Sequence, residues 1–324
     1  MVKAIHFKTP GGPEVLEMTD IDLAAPAAGE ITVRHTAIGL NFIDTYHRSG
    51  LYPLPLPAGI GMEGAGVVEA VGSAVSDLAV GDRVAYASPP PGSYAEARNI
   101  AADRVVKIPA GVEDQTAAAM MLKGMTAQYL IRQIYKVGKG DTILIHAAAG
   151  GVGQIVCQWA NHLGATVIGT VGSKEKAEIA KANGCHHPVL YNDEDFVERV
   201  KEITDGKMLP VVYDSIGATT FDKSLDCLRP RGLMVSFGQA AGPIPPVNLG
   251  VFAQKGSLFF TRPTLFNYIS TAADLRATAG DLFEAVSSGA VKIHIDQTFP
   301  LAEARAAHEA LEARKTTGST ILIP

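Results

Sequence analysis

The pattern of apolar and polar positions divides the chain near residue 124. Before this point, apolar and β-branched residues are interrupted by polar ones, as at 31–40, and glycine recurs every few residues between 58 and 72. Glycine at this density in strand-like sequence is typical of bulges, corners and tight turns. A short helix is predicted at 41–48, and the Gly-Asp-Arg-Val turn at 81–84 leads into another strand. The first part of the chain therefore predicts a distorted antiparallel barrel.

After residue 124, short apolar strands alternate with amphipathic helices. The predicted strands are 142–146, 165–171, 189–191, 211–214, 232–237 and 257–260, and the predicted helices are 151–163, 174–183, 194–204 and 220–227. This alternation is typical of an α/β fold with a doubly wound parallel sheet. A tail of helix 272–288, strand 291–298, helix 301–314 and strand 319–323 breaks the repeat, and we expect it to return to the first domain.

Composition sets the broad class. A chain of 324 residues suggests two domains at ~150 residues each, and we expect them at 1–123 with 265–324, and at 124–264. Apolar residues at 47% and charged residues at 19% exclude a disordered chain. A net charge of −5 gives no electrostatic reason to expect nucleic acid as the main partner. We find no apolar leader or membrane span. Three sparse cysteines, Cys157, Cys185 and Cys227, indicate reduced thiols in a cytosolic protein.

The sharpest motif is a glycine-rich turn, Ala-Ala-Ala-Gly-Gly-Val-Gly at 147–153, between a predicted strand and a predicted helix. Compared with the dinucleotide fingerprint G-x-G-x-x-G, it has Ala148 in place of the first glycine. Gly150 and Gly151 would let a pyrophosphate approach the backbone at the helix N-terminus, which favours anions. Gly153 would let the helix pack closely on the strand. The strand-turn-helix context favours a dinucleotide site over a merely tight turn.

The end of the next strand distinguishes NAD from NADP. An NAD site places Asp or Glu there to bond the ribose 2′-hydroxyl, whereas this chain reads Thr-Val-Gly-Ser-Lys-Glu-Lys at 170–176, with no acid at the strand end. Ser173 can cap the next helix and hold phosphate, and Lys174 or Lys176 can neutralise a 2′-phosphate. An ordinary solvated helix face would explain the two lysines but not the missing acid. The sequence therefore predicts NADPH as the cofactor.

Motifs along the whole chain resemble the medium-chain dehydrogenase/reductase superfamily, and within it the zinc-free, zeta-crystallin-like quinone oxidoreductase branch. Besides the turns at 81–84 and 147–153, these motifs are Gly-Gly-Pro-Glu-Val-Leu at 11–16, Asn-Phe-Ile-Asp at 41–44, Arg-Ser-Gly-Leu-Tyr at 48–52, Gly-Met-Glu at 61–63, Tyr-Asp-Ser at 213–215, Gly-Leu-Met-Val-Ser-Phe-Gly at 232–238 and Thr-Arg-Pro at 261–263. The resemblance implies a GroES-like distorted β-barrel catalytic domain and a Rossmann cofactor domain.

The zinc ligands of the superfamily are replaced in this chain. Zinc-dependent alcohol dehydrogenases carry a catalytic Cys where this chain has Asn41, and Gly-His-Glu where it has Gly-Met-Glu at 61–63. Their structural zinc requires four closely spaced cysteines, whereas the first cysteine here is Cys157. Because thiolate and imidazole ligands are absent where zinc needs them, we expect no bound metal.

The resemblance also implies individual site residues. Those lining the nicotinamide and the substrate would be Asn41, Phe42, Ile43, Tyr46, Tyr52, Thr126 and Tyr129. Those holding the pyrophosphate would be Gly150, Gly151, Val152 and Gly153, and those at the 2′-phosphate and adenine would be Gly172, Ser173, Lys176 and Tyr191. Further cofactor contacts would come from Ser215, Phe237, Gly238, Arg262, Pro263, Thr264 and Arg314. Tyr46 and Tyr52 could instead be simple cleft walls, and Arg314 could be a solvated helix-end cation.

The activity implied by the resemblance is metal-free reduction of a quinone by NADPH, with the quinone held between the domains. Asn41 would donate a hydrogen bond to one quinone oxygen, and Tyr46 or Tyr52 would bond the other or deliver a proton; protonation by solvent is the alternative. Another interpretation is an NADPH-dependent enoyl or alkenal reductase acting on activated C=C bonds. A third is binding of AU-rich RNA, as in zeta-crystallin relatives, against which the net charge argues.

The same resemblance implies a homodimer or a homotetramer, and a homodimer is expected. The apolar run Leu258, Phe259 and Phe260 lies in the predicted edge strand. It could form either the subunit interface or part of the monomer core.

Overall fold

The computed structural model describes residues 1–324 and divides into two compact units. The first comprises Met1–Met125, Ile269–Ser287 and Ile293–Pro324, and the second comprises Thr126–Tyr268 and Ser288–Lys292. No helix is both long and apolar enough to cross a membrane.

The secondary structure follows the chain in this order. The elements before the second unit are β1 (Val2–Phe7), β2 (Glu17–Ile21), β3 (Glu30–Leu40), α1 (Phe42–Arg48), β4 (Ala58–Gly59), β5 (Glu63–Val71), β6 (Arg83–Ala87), β7 (Ala97–Ala101), β8 (Val106–Lys107) and α2 (Asp114–Gln128). A π-helical segment, Tyr129–Ile134, follows α2. The next elements are β9 (Thr142–Ile145), α3 (Gly151–His162), β10 (Thr166–Val171), α4 (Lys174–Ala182), β11 (His187–Leu190), α5 (Phe196–Ile203), β12 (Leu209–Asp214), α6 (Phe221–Asp226), β13 (Leu228–Ser236), α7 (Gly250–Gln254), β14 (Phe259–Thr261) and α8 (Leu265–Tyr268). The last are α9 (Ala272–Ser287), β15 (Ile295–Pro300), α10 (Ala304–Glu312) and β16 (Ser319–Ile323).

The first unit contains two sheets that are mainly antiparallel. A three-stranded sheet has the order β2-β1-β4, and a seven-stranded sheet has the order β15-β16-β3-β5-β6-β8 with β7 also paired to β3. The register between β3 and β5 shifts twice. A Cβ on Gly66 of β5 would overlap the carbonyl oxygen of Arg34 on β3, so only glycine allows this close approach. The irregular antiparallel architecture predicted from the glycine pattern is confirmed, and β16 of the tail pairs antiparallel with β3.

The second unit is built on a six-stranded parallel sheet. Its order is β11-β10-β9-β12-β13-β14, which is 3-2-1-4-5-6 when β9 is counted as the first strand. This is the doubly wound Rossmann arrangement, and its ligands bind at the carboxyl ends of the strands, where the order reverses between β9 and β12. Leu144, Ile168, Val212 and Met234 pack within one core cluster of this sheet. The predicted α/β fold class is therefore confirmed.

Six of the predicted strands begin elsewhere: β10 at Thr166 rather than 165, β12 at Leu209 rather than 211, β13 at Leu228 rather than 232, and three more. β11 starts at His187 rather than 189, because its parallel pairing with β10 already includes that residue. β14 starts at Phe259 rather than 257, because Ser257 has a left-handed backbone with φ 57°. β15 starts at Ile295 rather than 291, after a turn in which Gly289 has φ 78°. Local apolar content does not reveal where a partner strand begins.

The burial of residues in and before the edge strand β14 bears on whether the apolar run at 258–260 belongs to the monomer core. Leu258, just before it, is buried, whereas Phe259 is 61% exposed and Phe260 is 41% exposed. Phe259 is thus outside the monomer core, whereas Phe260 also packs on the core rings of Phe221 and Phe252, with centroids 5.9 and 5.6 Å away.

Candidate active site

The glycine-rich turn joins β9 to α3. Ala147 adopts the left-handed region at φ 55°, which is costly for a residue with a Cβ. The N–H of Gly150 donates to the carbonyl of Ala147 at 2.9 Å and closes the turn. Gly150 is the N-cap of α3, and no side chain bonds to the free N–H groups at the start of this helix. The first N–H groups of α3 therefore stand at the carboxyl end of β9, where they can bind an anion.

Gly153 lies in the first turn of α3 and touches the backbone of the preceding turn. A Cβ at this position would overlap the carbonyl oxygen of Ala147 and lie 2.7 Å from the Cα of Ala148. Because these are backbone atoms, no side-chain movement could relieve the overlap. The helix can start this close to the strand only with glycine at 153.

A second group of candidates lies at the end of β10. The Oγ of Ser173 accepts the N–H of Lys176 at 3.3 Å, so the predicted N-cap of α4 is confirmed. The Ser173 hydroxyl also bonds to Glu175, which lowers the pKa of that carboxyl. A Cβ on Gly172 would lie 2.7 Å from the Oη of Tyr191, so the tyrosine ring borders this turn. The structure thus brings Gly172, Ser173, Lys176 and Tyr191 together.

A third group lies at the ends of β12 and β13. A Cβ on Gly238 would lie 2.7 Å from the carbonyl oxygen of Ser215. The N–H of Phe237 donates to the carbonyl of the last residue of β12 at 2.8 Å. The Nη1 of Arg262 donates to the carbonyl of the last residue of β13 at 3.0 Å. All three groups of the second unit therefore lie at the same, carboxyl edge of the parallel sheet.

The candidates of the first unit surround α1. Asn41 is the N-cap of this helix. The ring centroids of Phe42 and Tyr46 are 5.8 Å apart, and those of Tyr46 and Tyr52 are 5.2 Å apart. The N–H of Tyr52 donates to the carbonyl of Tyr46 at 3.0 Å. Ile43 is partly exposed on the same helix. One helix and the loop behind it thus carry all five of these candidates.

A buried carboxylate holds the side chain of Asn41. The Nδ2 of Asn41 donates to Oε2 of Glu63 at 2.7 Å, and Oε1 of Glu63 accepts the N–H of Leu122 at 2.7 Å. The Nζ of Lys123 lies 3.6 Å from Oε2 and donates to the carbonyl of Leu40 at 3.0 Å. Burial raises the pKa of Glu63, while Lys123 and the hydrogen bonds oppose that shift. The same Nδ2 also donates to the carbonyl oxygen of Gly39 at 3.5 Å, so the Asn41 amide has two partners inside the protein, of which Glu63 is the nearer.

A second polar chain fixes the start of α1. The Nη1 of Arg48 lies 2.9 Å from Nδ1 of His308, and Nε2 of His308 lies 3.1 Å from Oη of Tyr94. A guanidinium can only donate, so Nδ1 accepts, Nε2 carries the proton, and the hydroxyl of Tyr94 donates to Oδ2 of Asp44 at 3.1 Å. The same Oδ2 accepts the N–H of Asn41 at 2.9 Å. Burial raises the pKa of Asp44 to about 7.

This hydrogen-bonded series of side chains predicts that the fold loses stability in acid. Burial, together with the nearby Arg48, lowers the pKa of His308 from 6.5 to about 3. Between these values the unfolded chain binds a proton that the folded chain does not, so the free energy of unfolding falls as the pH drops. We expect His308→Gln to flatten this dependence by up to about 1.4 kcal/mol per pH unit, measured by urea unfolding between pH 4 and 6.5. Asp44 acts in the opposite direction, because its raised pKa favours the folded state at low pH. Equal slopes for the two proteins would contradict the neutral, buried His308.

The remaining candidates lie apart from these groups along the chain. Thr126 lies near the end of α2, and Tyr129 opens the π-helical segment; both are buried. Pro263 is buried and Thr264 is exposed after β14. Arg314 belongs to the first unit, just after α10, where it is exposed and has φ 57°.

Several polar residues at the site were not predicted as site residues. Glu63 and Arg48 occur in the family motifs but were given no role. Lys123, Tyr94 and His308 were not predicted at all. Lys123 is charged within the apolar stretch of α2, and a charge at such a place is a usable signal of a buried partner. His308 has no such signal, because its partner Arg48 is 260 residues away.

Comparison with known proteins identifies the family. Profiles of the alcohol dehydrogenase GroES-like domain and of the zinc-binding dehydrogenase family match residues 27–139 and 151–284. The chain is 56% identical to the quinone oxidoreductase of Pseudomonas aeruginosa over 100% of both proteins. The chain belongs to the zinc-free quinone oxidoreductase branch of the medium-chain dehydrogenase/reductase superfamily. The resemblance stated from the motifs is thus confirmed.

Two further relatives are a quinone oxidoreductase of known structure and a reductase with a different named substrate. The crystal structure of Escherichia coli quinone oxidoreductase complexed with NADPH has a TM-score of 0.98 and 50% identity, covering 99% of this chain and 100% of that one. A 2-haloacrylate reductase of Burkholderia sp. is 48% identical over 100% of this chain and 99% of that protein. No group of three or more His, Cys, Asp or Glu side chains that could hold a metal occurs in residues 1–324.

The second unit fits the NADPH that its family implies. Glycine at 153 lets α3 begin directly against the turn after β9, and no side chain caps the helix at Gly150. The first N–H groups of α3 could therefore bind a pyrophosphate. The cap at Ser173 and the ring of Tyr191 frame the turn after β10, where a 2′-phosphate and an adenine would lie. Lys176 supplies a positive charge in the first turn of α4.

Proposed function

We propose that this quinone oxidoreductase family member catalyses the reduction of quinones by NADPH. The observation that carries the proposal is the turn after β10. It ends in Gly172 and the helix cap Ser173, with Lys176 beside them and no acid at the strand end. That chemistry favours a phosphorylated ribose over a free 2′-hydroxyl. The identity with quinone oxidoreductases over the full length supports both the cofactor and the reaction.

The chain's own residues bind and orient the reactants. Bound NADPH supplies a hydride, and the quinone takes it up with one proton to become a hydroquinone. The N-terminus of α3 holds the pyrophosphate, and Ser173 together with Lys176 holds the 2′-phosphate. To bind this phosphate, the Ser173 hydroxyl gives up its hydrogen bond to Glu175. A quinone is already a strong acceptor, so positioning and exclusion of water are the protein's main contributions.

Asn41 is proposed to bond the quinone oxygen on which charge develops. Glu63 fixes one N–H of Asn41, so the amide plane is held, and the longer 3.5 Å bond from Nδ2 to the carbonyl oxygen of Gly39 is the one that a quinone oxygen would replace. Tyr46 and Tyr52 lie in the same cluster. They are proposed to border the quinone ring or to hydrogen-bond its second oxygen. Solvent supplies the proton.

Cofactor choice can be tested on α4. We expect Lys176→Met to raise the KM for NADPH about 10-fold, because a charge-assisted bond to phosphate is lost, and to leave the KM for NADH unchanged. Steady-state oxidation of both coenzymes with 9,10-phenanthrenequinone gives the values. Lys181→Met, in the last turn of the same helix, is the matched control and should change neither KM. A wild-type enzyme that used both coenzymes equally would contradict the role of the β10 turn.

The second candidate function is reduction of activated C=C bonds. It is favoured by the 48% identity to a 2-haloacrylate reductase and by a crystal structure of a 2-haloacrylate reductase that is 47% identical to this chain with a TM-score of 0.89. Turnover of NADPH with 2-chloroacrylate or an enone, in the absence of turnover with quinones, would replace quinone reduction by this function.

We extend the proposal to a homodimer located in the cytosol. The two exposed phenylalanines of β14 support an interface at the edge of the parallel sheet, since β14 is the last strand of its order. The three cysteines are free and buried, as expected for a reducing compartment. Sedimentation equilibrium of the wild type and of Phe259→Lys tests the interface.

A further inference from the structure

A buried histidine, His146, lies directly after β9, where the strand order of the parallel sheet reverses. Its Nδ1 lies 2.8 Å from Oγ1 of Thr170 on β10, and its Nε2 lies 2.9 Å from Oγ of Ser224 on α6. Its backbone N–H donates to the carbonyl of Tyr213 on β12 at 3.0 Å. One residue is therefore bonded to three neighbouring elements of the second unit.

The direction of these hydrogen bonds follows from Asp214, the last residue of β12. Its Oδ1 accepts two backbone N–H groups of the turn that follows, and its Oδ2 accepts the hydroxyls of Thr220 and Ser224. The hydroxyl proton of Ser224 is thus used on Asp214. Nε2 of His146 then donates to Ser224, and Nδ1 accepts the hydroxyl of Thr170. Burial lowers the pKa of His146, although Asp214 opposes this shift, so the ring is neutral near pH 7 and carries this one proton.

The two phosphate-binding turns of the proposed NADPH site are joined through these residues. His146 directly precedes the glycine-rich turn at 147–153, and Thr170 stands two residues before Gly172, in the turn assigned to the 2′-phosphate. The carbonyl of Thr170 also accepts the N–H of Ala148 at 3.1 Å. The side-chain bond from His146 to Thr170 is therefore a second link between the two turns, beside the backbone bond.

The surroundings of His146 exclude water from these bonds. Thr170 and Ser224 are buried as well. The ring of Phe196 on α5 packs against the imidazole, with centroids 5.1 Å apart and ring planes at 79°. Because no solvent replaces a lost partner here, removing the imidazole leaves the two buried hydroxyls to seek other partners, and the strand ends that carry them must shift.

We propose that His146 is a positioning residue for NADPH, which fixes the spacing between the pyrophosphate turn and the 2′-phosphate turn through its bonds to Thr170 and Ser224. This role rests on the proposed function and deepens it. NADPH has a phosphate group at each turn, so its affinity depends on how far apart the turns lie, and displacements near 1 Å in a binding site weaken binding strongly. NADH has no 2′-phosphate and depends less on that spacing. His146 thus contributes to the preference for NADPH without touching it.

The test measures the dissociation constants of NADPH and NADH by quenching of protein fluorescence, which requires no turnover. His146→Phe keeps a flat ring against Phe196 but makes neither side-chain bond. We expect it to raise the dissociation constant of NADPH about 10-fold and that of NADH less than about 3-fold. Thr170→Val, which removes only the link to β10, should act in the same direction. His146→Asn should restore most of the affinity for NADPH, because its amide oxygen can accept the Thr170 hydroxyl in place of Nδ1.

A matched control separates positioning from general loss of stability. Val200→Ala removes buried methyl groups from the core of the same unit, so its unfolding midpoint should fall while both dissociation constants stay at their wild-type values. Equal weakening of both coenzymes by His146→Phe and Thr170→Val, or a fall in their unfolding midpoints with unchanged affinity for NADPH, would overturn the role of His146. If His146→Phe does not fold, Thr170→Val and His146→Asn decide between these results. A wild-type protein that does not bind NADPH, or that binds it and reduces no quinone, would instead overturn the proposed function.

Discussion

Replacing Gly153 by alanine is expected to lower the affinity for NADPH about 100-fold, since displacements near 1 Å in a binding site have effects of this size. The added Cβ would overlap the carbonyl oxygen of Ala147 and approach the Cα of Ala148 to 2.7 Å. Neither atom can turn aside, so α3 must move away from β9. The N–H groups at its start then no longer point at the pyrophosphate. Quenching of protein fluorescence by NADPH measures the dissociation constant.

Gly138→Ala is the matched control for this change. Gly138 lies in the same unit, and a Cβ there would meet nothing within 4 Å. We expect its affinity for NADPH and its unfolding midpoint to match the wild type. An affinity of Gly153→Ala within 3-fold of this control would show that α3 does not carry the pyrophosphate.

The features that the sequence predicted well are those whose physics is local. The turn at 147–153 needs glycine because a helix starts within a few residues of a strand, and both elements are readable from the same short stretch. The cap at Ser173 is likewise decided by a hydrogen bond to Lys176, three residues on. Strand alternation predicted the parallel sheet for the same reason.

The contacts that the sequence did not predict join distant parts of the chain. Glu63 meets Lys123 across 60 positions, and Tyr129 meets Tyr268 across 139. Such pairs are produced by sheet registers and by the return of the tail, which no local pattern encodes. Asn41 was expected to donate a hydrogen bond to a quinone oxygen, and the buried carboxylate that holds its side chain was not predicted.

Removing the positive charge beside that carboxylate is the second large effect that we expect. Lys123→Met leaves Glu63, which is fully buried, without its counter-charge, and breaking such a pair costs about 3–5 kcal/mol of unfolding free energy. Lys107→Met, which breaks an exposed pair with Asp82, should cost much less, because solvent screens that pair. Guanidinium unfolding at pH 8 gives both values.

The pH dependence of this loss tests its cause. Burial raises the pKa of Glu63, and Lys123 opposes that rise, so the variant carries a still higher pKa at Glu63. A carboxyl with a raised pKa in the folded state binds more protons than in the unfolded state, and the unfolding free energy therefore falls as the pH rises. The destabilisation by Lys123→Met should accordingly be smaller at pH 5.5 than at pH 8.

Adding Glu63→Gln removes the titrating group, so the double variant should lose this dependence and be more stable than Lys123→Met at pH 8. A loss that is the same at both pH values would mean that Lys123 stabilises the fold through its hydrogen bond to Leu40 and its packing, and the Asn41 amide would then be anchored by a carboxyl that is neutral already.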